Sequence, residues 1–168
     1  MISERILMDS SHVMRTCRRM AYQLAETVAE PQNLLIVGIN KRGMAVARLI
    51  QQFMAESLQT PPLLVNAGTQ DLSLSPHETA SGRDMIVIDD VLFSGRTISA
   101  ALGCFPDISK ASRIRIAVLV DRGHRRFPFF AAVTGLVYPT KFDEHVHVIL
   151  NDESGQMEVH LLRETQTA

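Results

Sequence analysis

The chain has 168 residues, 46% of them hydrophobic and 5% aromatic, with a formal net charge of -1. That length and apolar content suit one domain with one sizeable core and exclude a disordered chain, while a charge this close to zero excludes a wholesale nucleic-acid or membrane-surface binder but leaves local basic patches open. Charges break the apolar runs well short of the ~20 residues that cross a bilayer, and MISERILMDSSH lacks the apolar stretch of a signal peptide, so a cytoplasmic protein is expected.

Ser10 or Ser11 is placed to cap a first helix in which Val13, Cys17, Met20, Leu24 and Val28 recur at helical spacing, ending near Pro31. LLIVGI at 34–39 reads as a strand buried on both faces. A second helix is predicted from Met44 to Ser57, with Val46, Leu49, Ile50, Phe53 and Met54 on its apolar face and Pro61 and Pro62 beyond it. Strands are expected at 63–66 and 85–89, with NAGTQDLSLSPHETASGRD between them as a mobile loop. A third helix is predicted from Arg96 to Phe105, then strands at 114–120 and 131–138, and a closing hairpin of HVHVIL and MEVHLL across NDESGQ. Cys17 and Cys104 fall inside helical patterns without ligand-like spacing and are expected to be packed thiols. The alternation of strand and helix predicts an α/β fold over 1–168, a largely parallel sheet flanked by helices.

MIVIDDVLFSGRT at 85–97 raises a chemical question, because a buried strand ends there in two acids. Ligands bind at the carboxyl ends of parallel strands. Standing alone, Asp89 and Asp90 would be a helix cap and a solvated acid. Phe93, Ser94, Gly95, Arg96 and Thr97 follow them, however, with small residues, hydroxyls and free amides at a helix start, which is an anion cradle. Carboxylates that accept from a sugar diol, next to a phosphate cradle, suit a ribose 5-phosphate. No Gly-Lys-Ser/Thr follows the strand, so this is not a Walker loop.

VIDDVLFSGRT resembles the phosphoribosyl-pyrophosphate signature of type I phosphoribosyltransferases. GINKRG at 38–43, LVDRGHRRFP at 119–128 and RTCRRMAYQLAE in the first helix narrow the likeness to the pyrimidine-operon attenuators, RNA-binding regulators that also act as uracil phosphoribosyltransferases. The resemblance implies a type I phosphoribosyltransferase fold with a small hood and a C-terminal hairpin, and assembly into homodimers or higher oligomers. It also implies phosphoribosyl pyrophosphate and uracil as substrates, UMP as product, mRNA as a partner and magnesium as cofactor. It places Asp89 and Asp90 on the ribose hydroxyls and magnesium, and Val91, Leu92, Phe93, Ser94, Gly95, Arg96 and Thr97 around phosphoribosyl pyrophosphate and its 5-phosphate. Asn40, Lys41, Arg42 and Gly43 fall at the pyrophosphate, with Arg42 beside the reacting bond, and Asp121, Arg122, Gly123 and His124 near the base. For Lys41 and Arg42 the bland reading is a solvated basic turn; for Asp121 and His124 it is an Arg-paired acid and a half-exposed imidazole.

Two departures from the family bear on function. From Leu49 to Gly82 there is no Lys or Arg, so the loop expected to cover the site brings no cation to the departing pyrophosphate. In the segment after DRGH, Phe130 and Leu136 stand where basic residues are expected. Arg15, Arg18 and Arg19 on the first helix, with Arg125 and Arg126, remain as RNA candidates, and solvated helix charge is an equal reading of the first three. Phe127, Phe129 and Phe130 could stack on bases or fill a core or interface. Three functions therefore stay open: a uracil phosphoribosyltransferase with attenuator activity, a nucleotide-sensing RNA-binding regulator with little catalysis, and a phosphoribosyltransferase for another nucleobase.

Overall fold

The computed structural model describes residues 2–75 and 77–164; Pro76 of the expected loop, and Met1 and 165–168 of the expected domain, lie outside them. The chain order is β1 (Ile2–Met8), α1 (Ser10–Ala25), β2 (Leu34–Ile39), α2 (Asn40–Leu58), β3 (Leu63–Gly68), β4 (Ser73–Ser75) and β5 (Asp84–Leu92). It continues with α3 (Arg96–Gly103), β6 (Arg113–Asp121), β7 (Val133–Val137), β8 (Glu144–Leu150) and β9 (Met157–Glu164).

Six strands form the main sheet in the order β4-β3-β2-β5-β6-β7. All its pairings are parallel except that of the edge strand β4, which runs antiparallel to β3. The continuous apolar runs follow from burial on both faces, since successive side chains of a strand point to opposite sides. Leu34, Ile36, Ile86 and Ile88 face α1 and α2, which meet them with Val13, Cys17, Met20, Val46, Ile50 and Phe53. Leu35, Val37, Met85 and Val87 face the other way, onto Ile98, Ala101 and Phe105 of the α3 region. Both cysteines are buried free thiols, and burial pushes the Cys17 thiol up to about 12.

The expected closing hairpin is β8 and β9, paired antiparallel from Glu144 opposite Arg163 to Leu150 opposite Met157. It does not stand alone. β1, which the sequence pattern does not announce, pairs antiparallel with β9 and completes a three-stranded sheet in the order β1-β9-β8. Val146, Val148, Val159 and Leu161 turn its inner face into the core shared with α1 and α2.

Other boundaries shift for physical reasons. α1 is capped by Asp9, whose carboxylate accepts from the His12 amide at 2.8 Å, and it ends at Ala25; Pro31 instead opens a short 3-10 turn. α2 starts at Asn40, four residues before the apolar periodicity does, so Lys41 and Arg42 lie in its first turn. The expected loop is shortened at its start, because β3 runs to Gly68 and β4 folds back on it. Among the described residues no helix is long and apolar enough to cross a membrane.

Candidate functional site

β2 leads through α2 to β3 on one side, whereas β5 leads through α3 to β6 on the other. The chain thus diverges between the carboxyl ends of two adjacent strands, the position where open α/β sheets form a ligand crevice. A cleft of about 320 Å³ lies there, and it is lined by Asn40, Lys41, Arg42 and Gly43 from the start of α2, by Asp89, Asp90 and Val91 from the end of β5, and by Thr97. The expected ribose acids and all four pyrophosphate residues thus come together with Val91 and Thr97, whereas Leu92, Ser94, Gly95 and Arg96 do not line this cleft and Phe93 lines a different cavity.

The turn at 40–43 is held in an unusual conformation. Asn40 has φ 52°, in the left-handed region that a non-glycine residue rarely occupies. Its side chain is fixed by Thr69, whose amide donates to Oδ1 at 3.0 Å and whose hydroxyl accepts from Nδ2 at 2.8 Å. The Asn66 amide group donates to the Asn40 carbonyl at 2.8 Å and to that of Gly38 at 3.0 Å. Asn66 and Thr69 were hidden inside a stretch that reads as loop, and no local pattern marks them. No side chain caps α2, so its first amides are left for a ligand in the cleft. Gly43 serves close approach: a Cβ there would lie 2.9 Å from the Ile88 carbonyl oxygen and 3.1 Å from Asp89 Oδ1. Arg42 is exposed, while Lys41 reaches away from the turn to Asp152 in the β8–β9 connection, at 2.7 Å.

Asp89 is 5% exposed, and its Oδ1 accepts the Asp90 amide at 2.9 Å. Burial, reinforced by the neighbouring Asp90 charge, pushes its carboxyl well above the usual carboxylate range. A buried acid pressed against a second acid at a cleft floor wants a cation or a hydroxyl donor. Among the described residues no group of three or more His, Cys, Asp or Glu side chains could hold a metal ion by itself. The donor set here is two carboxylates, which fits a hard cation that takes its remaining oxygens from water and substrate.

Beyond the acids, Gly95 adopts φ 87° and caps α3. The Arg96 amide donates to Ser94 Oγ at 3.3 Å, whereas Arg122, Arg126 and Phe127 place their amides on the carbonyls of Leu92 and Ser94 at 2.9 to 3.0 Å. The loop therefore shows its carbonyls to the segment after β6 and leaves amide groups at the helix start for the opposite side. A Cβ on Gly95 would meet the Phe127 Cβ and the Phe129 ring, each at 3.1 Å, so the glycine is needed against those side chains.

Phe127 and Phe129 stack on one another with centroids 6.3 Å apart, which ties them to the loop's support instead of to a base; Phe130 is 77% exposed. The DRGH turn borders a second cavity of about 240 Å³, lined on one side by Phe93, Arg122, His124 and Arg126 and on the other by Thr140, Lys141, Phe142 and His145. The Arg122 guanidinium lies over the Phe93 ring at 4.5 Å, and His124 Nε2 is 2.8 Å from the Thr140 carbonyl. Asp121 does pair with an arginine, Arg125, at 2.5 Å, and its other oxygen accepts the Gly123 amide at 2.9 Å.

The arginines expected to meet RNA separate into two kinds. Arg15 touches Ser11 at 3.1 Å, Arg18 lies over the Phe53 ring at 4.7 Å, and both are exposed, as is Arg126. Arg19 donates to the Thr134 and Gly135 carbonyls at 3.2 and 2.8 Å, pinning α1 to β7, and Arg125 is turned inward. Arg83, just after the cation-free stretch, pairs with Glu78 at 3.5 Å before the amino end of β5, the end of that strand opposite the cleft.

Comparison with known proteins agrees with this fold. The phosphoribosyl transferase domain family matches residues 5–146. The chain is 37% identical to the bifunctional protein PyrR of Actinobacillus pleuropneumoniae over 95% of its own length and 97% of that protein's. For the PyrR of Haemophilus ducreyi the identity is 35%, over 96% and 98% of the two chains. Among solved structures, the hypoxanthine phosphoribosyltransferase of Trypanosoma cruzi superposes with a TM-score of 0.73 over 96% of this chain and 97% of that one, at 14% identity. A hypoxanthine-guanine phosphoribosyltransferase of Bacillus anthracis gives 0.71 over 95% and 99%, at 12% identity. Fold, motif and near-full-length identity agree: the chain belongs to the phosphoribosyltransferase family and, within it, to the bifunctional PyrR proteins.

Proposed function

We propose that this chain transfers ribose 5-phosphate from phosphoribosyl pyrophosphate to uracil, releasing pyrophosphate and forming UMP, and that it also binds pyrimidine-operon mRNA as an attenuator. The observation that carries the reading is the convergence of Asp89, Asp90, Arg42 and Thr97 on one cleft at the switch point of the sheet.

In that reaction the bond between the anomeric carbon and pyrophosphate breaks as a bond to a base nitrogen forms. Positive charge grows on the sugar and negative charge on the leaving group, so the site must orient and clamp rather than supply a nucleophile. The buried Asp89 and its neighbour Asp90 accept from the ribose hydroxyls and keep negative potential beneath the sugar. The amides of Ser94 to Thr97 hold the 5-phosphate. The uncapped first turn of α2 and the Arg42 guanidinium face the pyrophosphate. The DRGH turn borders the base. Asp89 and Asp90 are also the residues that would hold magnesium, which supplies charge neutralisation for the pyrophosphate when bound. Exposed Arg15, Arg18 and Arg126 are the residues placed to meet RNA phosphates. Self-association is supported by exposed Phe130 and by Val137, 65% exposed on the edge strand β7.

Incubation with phosphoribosyl pyrophosphate, magnesium and a panel of nucleobases tests the enzyme. Nucleotide formed from uracil in preference to purines is expected; formation from a purine alone, or from no base, sinks it. A regulator with little turnover is the second reading, favoured by the lack of Lys or Arg between Leu49 and Gly82. It predicts salt-sensitive RNA binding that responds to UMP without measurable product.

A further inference from the structure

Every nitrogen of the Arg125 guanidinium is engaged inside the fold. Nε donates to the Phe129 carbonyl at 2.9 Å, Nη2 to Asp121 at 2.5 Å, and Nη1 to the carbonyls of Phe93 at 2.7 Å and Gly123 at 3.0 Å. Its side chain is 16% exposed and that of Asp121 is 19% exposed. The contact with Phe93 is the informative one. The β5–β6 ladder ends at Leu92 opposite Asp121, and the amides of Arg122, Arg126 and Phe127 then serve Leu92 and Ser94. Between them, the Phe93 carbonyl takes its bond from Arg125. A continuous row of donors thus holds the carbonyl side of Leu92, Phe93 and Ser94, and peptide planes fixed this way turn their amide side away from the segment after β6.

We infer that Arg125 is a positioning residue of the phosphate loop: paired with Asp121, it fixes the Phe93–Ser94 peptide so that the amides ahead of α3 stay directed at a phosphate monoester. The inference rests on the proposed assignment of Ser94 to Thr97 to the 5-phosphate. It removes Arg125 from the residues available to RNA, because its donors are spent on Asp121 and the four carbonyls of Leu92, Phe93, Gly123 and Phe129. It also joins the base-side turn to the phosphate side through one guanidinium, since Arg125 grips Gly123 and Phe93 together. The role needs the planar fork of an arginine, which can serve several acceptors at fixed angles where lysine offers a point charge.

The test compares binding of UMP and uridine, two ligands that differ by the phosphate, to the intact protein and to Arg125→Gln and Arg125→Lys. Calorimetry on the unaltered protein is expected to show tighter binding of UMP. In the variants that ratio is expected to fall by about tenfold or more, the scale of one charge-assisted hydrogen bond, with uridine affinity unchanged. In turnover, KM for phosphoribosyl pyrophosphate rises more than kcat falls. Arg125→Lys keeps a cation beside Asp121, so it decides the matter should Arg125→Gln not fold. A lowered Tm with the UMP-to-uridine ratio intact overturns the inference and leaves the phosphate assignment standing. No preference for UMP in the unaltered protein removes the phosphate assignment itself, and the inference with it.

Discussion

Asp152, in the turn between β8 and β9, grips Lys41 at the start of α2, with Lys41 Nζ 2.7 Å from Oδ1 and 2.8 Å from Oδ2. The pair joins the three-stranded sheet to the pyrophosphate turn and draws a cation away from the cleft in which it would be useful. Both side chains are about two-thirds exposed, at 70% and 67%, so the ion pair contributes little to folding.

Asp152→Asn is therefore expected to leave Tm nearly unchanged, within about 0.5 kcal/mol of stability, while freeing Lys41 to swing toward the leaving group. KM for phosphoribosyl pyrophosphate should fall by about two- to fivefold, the equivalent of an exposed ion pair exchanged for one with substrate. Steady-state kinetics at low salt checks this. An unchanged or raised KM would mean that the pair orients Lys41 productively instead of withholding it.

Asp89 is the opposite case, a charge kept at a cost to the fold. It is buried beside Asp90 with one amide as its hydrogen-bond donor. Asp89→Asn keeps the shape and the acceptor oxygen but removes the charge, so Tm of the ligand-free protein should rise, by about 1 kcal/mol or more in stability. Binding of phosphoribosyl pyrophosphate with magnesium should weaken, and kcat/KM should drop by about a hundredfold or more. Thermal melts and calorimetry on the same sample read both effects; a variant that is less stable and still binds would falsify the assignment.

These two acids show what was legible in advance. Asp89 closes the apolar run MIVID, and with the anion cradle that follows it marks a site within a dozen residues, although the strand expected to stop there runs on through both acids to Leu92, which pairs with Asp121 of β6. Asp152 carries no such mark, because its meaning depends on Lys41, which lies far away in sequence. The same holds for β1: ISERILM has charges at Glu4 and Arg5 and no alternation to speak of, and its partner is the last described strand. Asn66 and Thr69 look like turn residues because Asn and Thr favour turns; the left-handed Asn40 they support can be seen only once β2 and β3 are side by side. Arg125 read as one more basic residue in DRGHRR, since composition gives its charge but not the carbonyls gathered around it. Local chemistry is written locally, whereas support for a site comes from whatever the topology brings alongside.

Gly95 and Gly82 offer an internal comparison. Both have positive φ, 87° and 71°, but a Cβ at Gly82 meets nothing within 4 Å whereas one at Gly95 meets Phe127 and Phe129 at 3.1 Å. Alanine at Gly82 should cost about 1 kcal/mol of backbone strain and leave UMP binding intact. At Gly95 the same change adds displacement of the Phe127 and Phe129 side chains that back the loop, so a larger loss of stability and a loss of UMP affinity of about tenfold or more are expected. Equal effects of the two substitutions on UMP affinity would mean that the loop's conformation does not matter for the phosphate.

His160 ties the three-stranded sheet together and sets a pH dependence whose sign can be worked out. Its side chain is 10% exposed and sits between two carboxylates, with Nε2 3.0 Å from Glu158 on its own strand and Nδ1 2.6 Å from Glu4 on β1. The Glu158 hydrogen bond, with Glu4 adding to it against the opposing effect of burial, raises its pKa from the ordinary 6.5. A raised folded pKa means that the folded state holds the proton more tightly, so the stabilisation is complete below the unfolded value near 6.5 and is lost as pH rises through the higher folded value. Tm should accordingly decline on the alkaline side of that window, and β1 amides near Ile6, opposite His160 in the ladder, should exchange faster there. His160→Gln is expected to lower Tm below pH 6.5 and flatten the decline. His147 lies opposite His160 on β8, so a cation there would oppose the imidazolium; His147→Gln should leave the decline in place or steepen it. If His147→Gln abolishes the decline and His160→Gln does not, the clasp has been placed on the wrong histidine.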